Sequence, residues 1–452
     1  MKKIISIALA LLMVAVMLPV MAMAADVNDA TTLKAAVATS GEVTLGDNIT
    51  ASITIPAGQT VTLNLNGKTL KNEDGKDTIT VELGGTLIVK GDGKVDNISD
   101  GCAAIFNNGT VTLNGGTFDR SAETSTGKTK EERGNNSWYT ICNHGTLTIN
   151  SGVTITTANK ATDKGRYSSL IENGYQNYAG DKSRVAYKLG TNQEYPSLLI
   201  NGGEFFGGIN TIKNDDNGIA TINGGSSTNY YQASVQNHHR MVIENGSFSG
   251  ETAWSVLNCG ADCVYNADHD AHDLVIKNGN FKGDVRANVG AVNIEGGKFD
   301  SAFTEGNNAA INISGGTFNT DVTPYVGENT LVVRDENNNY YVGGTARDAI
   351  ENATSGTFTV KKAEGSTEFN VKPGVTIVNN SGVNIIVNDK EVPTGDTYTV
   401  PGAPIIIYNP TEDTPKANDQ KNPSTGANDF VGVAAALAVV SLLGAAAVIR
   451  KK

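Results

Sequence analysis

Between residues 101 and 320 apolar and polar positions alternate with a period of two, in short runs that each break at a polar residue and a glycine. Eight runs share one pattern: TVTLNGGTF, TLTINSGVT, SLLINGGEF, IATINGGSS, RMVIENGSF, DLVIKNGNF, AVNIEGGKF and AINISGGTF. The aliphatic residue before the turn falls at Leu113, Ile149, Ile200, Ile222, Ile243, Ile276, Ile294 and Ile313. Five positions later stands Phe118, Phe205, Phe248, Phe281, Phe299 or Phe318, with Thr154 and Ser227 as the exceptions. Weaker copies precede the set around Leu65 and Val89. A period of two means strands, and self-similarity near twenty residues means a solenoid.

The shortest spacings, 18 and 19 residues, leave room for short strands and tight corners and for no helix between them. The expected fold is therefore all-β: a single-stranded parallel β-helix whose coils stack at about 4.8 Å. Glycine is expected where a corner needs positive φ, and the recurring Phe is expected to point inward and stack on the next coil. A second recurrence is polar. Asn107, Asn143, Asn237, Asn288 and Asn307 lie six residues before the anchor, and Asn173, Asn214 and Asn258 lie further ahead of theirs in similar contexts. One corner Asn per coil, bonding side chain to side chain, is the expected use.

The flanks divide the chain further. Residues 25–100 carry a short amphipathic helix (ATTLKAAVAT, 30–39) and the first coils; an open β-helix end exposes strand edges and so needs a cap. The repeats occupy 101–342 and end in a segment read as a closing hairpin. Residues 343–408 read as a small β-rich module, and 409–426 as a polar, Pro-containing linker.

Both ends read as addresses. Met1-Lys2-Lys3, an apolar stretch and Ala22-Met23-Ala24 predict a signal peptide over 1–24. Phe430–Ile449 is an uncharged apolar run long enough to span a hydrocarbon core of about 30 Å. Arg450-Lys451-Lys452 follows as a basic cytoplasmic tail. Ahead of that run stands Asn422-Pro423-Ser424-Thr425-Gly426. The order of pentapeptide, apolar helix and basic tail resembles the sortase cell-wall sorting signal of Gram-positive bacteria. The resemblance implies cleavage between Thr425 and Gly426 and attachment to peptidoglycan. Asn422 stands where the common motif has Leu. The expected location is extracellular, wall-anchored or held at the membrane by the C-terminal helix.

Composition narrows the function classes. The 452 residues carry a formal charge of −12, which disfavours a nucleic-acid partner. Glycine is abundant, 51 against 11 prolines, as frequent sharp turns require.

Candidate chemistry lies where the repeat spacing swells. Insertions over 174–196 and 259–272 each follow a corner Asn and are expected to leave one edge three coils apart. The first brings Tyr175, Tyr178, Tyr187 and Tyr195; between the two come Asp215, Asp216, His238 and His239. Aromatics flanking polar groups suit a sugar, so these eight residues form the candidate ligand groove. The second insertion carries Cys259, Cys263, His269 and His272, which could ligate zinc. A disulfide is the competing use in an exported protein, with Cys102 and Cys142 as further candidates; the sequence does not choose among the pairings.

The cap and repeats over roughly 28–342 resemble pectate-lyase-like adhesive surface proteins, which implies a right-handed β-helix. The polygalacturonase motif set on successive coils is absent; Asp215-Asp216 and Asn143-His144-Gly145 are isolated fragments of it. No catalytic residue and no cofactor are therefore assigned. The expected function is non-catalytic, adhesin-like display toward glycans or proteins on host or neighbouring cells. The alternatives are a carbohydrate-active β-helix enzyme and a structural coat protein without a specific ligand.

Overall fold

The computed structural model describes residues 25–123, 138–158, 168–174, 195–259 and 273–402. It is a parallel β-solenoid. Each full coil contributes strands to three parallel sheets, joined by corners. In the first sheet, Val43, Leu63, Val89, Leu113, Ile149, Ile200, Ile222, Ile243, Ile276, Ile294 and Ile313 stand in one continuous register. All are buried, so the eight anchors from Leu113 onward form one interior column as expected. Among the weaker copies, Leu63 rather than Leu65 is the partner of Val89. The turn after Asn64 is longer than the later ones and takes up Leu65-Asn66-Gly67, with Asn66 at φ 48° and Gly67 at φ 72°.

The second sheet carries the aromatic column. Phe248, Phe281, Phe299 and Phe318 stack with ring centroids 5.1, 4.5 and 5.1 Å apart and nearly parallel planes. Phe118 belongs to the same register, but its neighbour is Ile155, not Thr154. The turn Asn150-Ser151-Gly152 holds one more residue than the Asn-Gly-Gly turns, so an inward aliphatic replaces the expected Thr. The corner before this sheet explains the Asn-Gly-Gly spelling. In Gly225 and Gly297, each the second glycine of its pair, φ is +100° and +105°. A Cβ there would meet the carbonyl oxygen of the corresponding glycine one coil earlier, Gly203 or Gly279, at 3.0 Å. Positive φ and coil-to-coil backbone contact both demand glycine.

The third sheet carries the Asn column, treated below. Where the spacing falls to 18 and 19 residues the corners flatten. The strands Asn280–Ile294 and Phe303–Ile313 then run on through more than one sheet, as Ser247–Asn258 does in the longer coil before them.

Both ends of this unit are covered. Helix α1 (Ala30–Val37) is capped by Asp29, whose Oδ1 accepts from the backbone N–H of Thr31 and Thr32, and it buries Leu33 and Val37. At the other end a hairpin, Val332–Asp335 with Tyr340–Val342, pairs antiparallel onto Gly316–Phe318. Helix α2 (Gly344–Asn352) follows, and a separate apolar cluster gathers Ala346, Ile350, Phe358, Val360, Phe369, Val375, Ile377 and Ile385. Among the described residues no helix is long and apolar enough to cross a membrane. The segments read as signal peptide (1–24), as sorting motif with Thr425 and Gly426, as apolar span (430–449) and as tail (450–452) lie outside the described residues.

Candidate functional site

The third sheet departs from the alternation seen elsewhere. Its inner column begins with Ile55 and Val81 and then turns polar: Asn107, Asn143, Asn173, Asn214, Asn237 and Asn258 follow in strict register. All six are fully buried. Each Nδ2 donates to the next Oδ1, at 2.7, 2.6, 2.7, 2.9 and 2.8 Å. The same amides also donate to corner carbonyls, among them those of Ser197, Ile219 and Arg240. A buried amide is stable only when its polar atoms are satisfied, and the stack satisfies them along its length.

Asn288 and Asn307 were expected in this ladder and are not in it. The register continues from Asn258 to Ala287 and then Glu305, with an irregularity after Ala287. Asn288 sits one residue further on and donates to the Cys259 carbonyl. A second ladder, not anticipated, runs on the surface from Asn223 through Asn201 and Asn150 to Asn114, at 2.8, 2.8 and 2.7 Å. The leading Asn of the Asn-Gly-Gly turns is thus also a coil-to-coil link.

The outer side of the third sheet is where chemistry concentrates. Phe106, Cys142, Glu172, Lys213, Gln236 and Leu257 follow one another on successive coils. From Cys142 to Leu257 these outward side chains are buried. On the first sheet, by contrast, outward positions such as Thr110, Thr146 and Arg240 are exposed. Beside this row runs a second: His144, Gly174, Asp215, His238 and Cys259. Each backbone N–H donates to the corner Asn carbonyl of the coil before, from Asn107 to Asn237. Gly174 is required in that row. Its φ is +117°, and a Cβ would lie 2.6 Å from the Asp216 carbonyl oxygen.

Two clusters result. In the first, Cys142 Sγ lies 2.9 Å from Glu172 Oε2 and 3.5 Å from His144 Nε2, with Phe106 edge-on to the imidazole at 5.3 Å. Burial pushes His144 down to about 4, with the Asp215 charge opposing it, so the imidazole is neutral near pH 7. In the second, Lys213 Nζ stands 2.9 Å from Asp215 Oδ2 and His238 Nδ1 stands 3.0 Å from Asp215 Oδ1. Burial alone would favour the neutral carboxyl. The Lys213 charge and the His238 hydrogen bond outweigh it and hold Asp215 below the usual carboxylate range.

Of the candidate groove, Asp215, Asp216, His238 and His239 are brought together on adjacent coils. Tyr195 reaches the His239 ring at 5.6 Å. Tyr175, Tyr178 and Tyr187 lie outside the described residues. Two hollows of about 330 and 380 Å³ share Ser226 on the outer face of the second sheet. They are lined by Thr154, Glu204, Thr228, Ser249, Lys282 and Asp300, among others.

The cysteines divide: Cys259 takes the disulfide reading over the metal one, and Cys102 and Cys142 are not disulfide-bonded, so the pairing between them is not made. Cys142 instead faces Glu172 and His144. Cys259 is disulfide-bonded, which removes it as a thiolate metal ligand. Cys263, His269 and His272 lie outside the described residues. Searches of protein-family models, of curated proteins and of solved structures find no match to this chain.

Proposed function

We propose that this protein is a surface-displayed, right-handed parallel β-helix that binds ligands without turning them over, adhesin-like, on the outside of a Gram-positive-type cell. Sortase and peptidoglycan are its anchoring partners. The ligand class is a glycan or protein of a host or neighbouring cell.

One observation carries the reading. The longest connections between consecutive described strands join Gly116–Asp119 to Ile141–Asn143 and Val153–Thr156 to Ile171–Asn173, from the second sheet to the third, and Ile171–Asn173 to Ser197–Ile200 and Ser247–Asn258 to Asp273–Ile276, from the third to the first. Each of the four connections begins or ends at a strand of the third sheet, whose outer face is also the buried polar one. A rigid solenoid with its sequence insertions gathered around one sheet is suited to presenting a recognition surface, as loops on rigid scaffolds commonly do. Binding is favoured over turnover because Asp215 is buried and committed to Lys213 and His238. A general acid needs a raised pKa and reach to its substrate.

The test is a glycan array and host-cell binding by the full-length protein, run beside reducing-sugar and unsaturated-product assays on polysaccharides. Saturable binding without product supports the proposal. Product formation that Asp215→Ala abolishes refutes it in favour of a carbohydrate-active enzyme.

A further inference from the structure

We infer that Cys142, His144 and Glu172 form a zinc-type divalent-metal site on the outer face of the third sheet. The three side chains come from two adjacent coils, and their donor atoms all lie within 4.8 Å of one another. They are a thiol, an imidazole and a carboxylate, the three side-chain donor types that tetrahedral zinc sites use. Cys142 and Glu172 are paired directly in the strand register, and His144 is two residues beyond Cys142 on the same strand end. Strands locked on both sides by neighbouring coils hold such donors in place before the metal arrives.

One of the two donor distances already fits an ion between them, and the other needs a small adjustment. Metal–sulfur and metal–nitrogen bonds of about 2.3 and 2.0–2.1 Å at a tetrahedral angle put S and N about 3.5 Å apart. The observed Sγ···Nε2 distance is 3.5 Å. The Sγ···Oε2 distance of 2.9 Å is shorter than a tetrahedral edge. Glu172 must therefore withdraw by about 0.6 Å, a small swing for a side chain with three torsions. Charge also balances. A thiolate and a carboxylate together match the charge of a divalent cation, which suits a site where Cys142 is 2% and Glu172 4% exposed. The thiol proton leaves to solvent as the metal–sulfur bond forms.

The neighbouring set of Asp215, Asp216 and His238 has comparable spacing. In that set the Lys213 ammonium is already paired with Asp215 at 2.9 Å, and no thiol is among its donors. Three protein ligands leave one coordination position for water or an incoming ligand.

The experiment is a Co²⁺ titration of the full-length protein, purified in mild detergent and stripped with a chelator. A thiolate-to-cobalt charge-transfer band should grow to one equivalent, with the visible absorption of tetrahedral cobalt, and should bleach when Zn²⁺ is added. Cys142→Ser should abolish the band, Cys102→Ser should leave it, and His144→Ala should weaken binding about tenfold or more. The wild-type titration stands without the variants. Absence of a thiolate band in the wild type overturns the inference. So does a band that survives Cys142→Ser.

Discussion

Replacing Asn173 by Val removes the middle rung of the buried amide ladder. Asn173 accepts from Asn143 at 2.6 Å, donates to Asn214 at 2.7 Å and donates to the Ile219 carbonyl at 3.2 Å. Three hydrogen bonds at about 1 kcal/mol net each are lost, and the Asn214 carbonyl loses its ladder donor in a fully buried position, which adds about 1–3 kcal/mol. The two methyl groups of Val return about 1–1.5 kcal/mol. The same column already holds Ile55 and Val81, so the shape is accommodated. The expected cost is roughly 2.5–5 kcal/mol, read as a shift in urea midpoint at constant slope by far-UV circular dichroism. Asn143→Val should cost a similar amount. The double variant should cost less than the sum by about 1–2 kcal/mol, because the bond between them is counted once and each orphaned partner is gone. A loss below about 0.5 kcal/mol for Asn173→Val, or strict additivity, would refute the view that the ladder is a coupled network.

Other outcomes follow from the same geometry. Phe281→Ala, in the centre of the aromatic stack, should cost about 3–5 kcal/mol in equilibrium unfolding. Gly297→Ala should cost about 1–3 kcal/mol through positive φ and the Gly279 carbonyl, whereas Gly365→Ala, with open space around it, should be near neutral in the same assay. Lys213→Met should cost about 3–5 kcal/mol by leaving Asp215 buried without its cation, and adding Asp215→Asn should recover most of it. Asp215 also sets a pH dependence. Its folded-state pKa is lowered, so its contribution is present above the ordinary value of 3.8 and is lost only as pH falls below that. In Lys213→Met, burial is opposed by His238 alone, and acid unfolding should begin at a higher pH than in the wild type.

Much of the solenoid was legible because its interior repeats. The aliphatic anchors from Leu113 to Ile313 and the Phe positions are one-dimensional signals, and stacking turns them directly into columns. Errors entered where turns change length. One extra residue after Asn150 moved the inward position from Thr154 to Ile155, a longer turn after Asn64 moved the first anchor from Leu65 to Leu63, and an irregularity after Ala287 took Asn288 and Asn307 out of the ladder. Sequence spacing counts residues, whereas register counts hydrogen-bonded pairs, and the two diverge at every bulge.

The candidate site was legible only in part. Asp215, Asp216, His238 and His239 could be set on one edge from the corner Asn ahead of them. The cluster of Cys142, His144 and Glu172 could not, because Glu172 is thirty residues beyond Cys142 and becomes its neighbour only through the pairing of ICN with IEN. A signal was present. In both tripeptides the residue between two inward positions is one that rarely stays buried or unreacted without a reason, and the same is true of Lys213 in NTIKN.

The most direct test of the account is adhesion by cells that display the protein at wild-type levels on their surface, compared with cells displaying a variant in which 175–194 and 260–272 are both replaced by short turns. The account predicts that binding to glycan- or protein-coated surfaces is lost in the variant while its far-UV spectrum and surface abundance stay unchanged. Undiminished adhesion by the variant would contradict it.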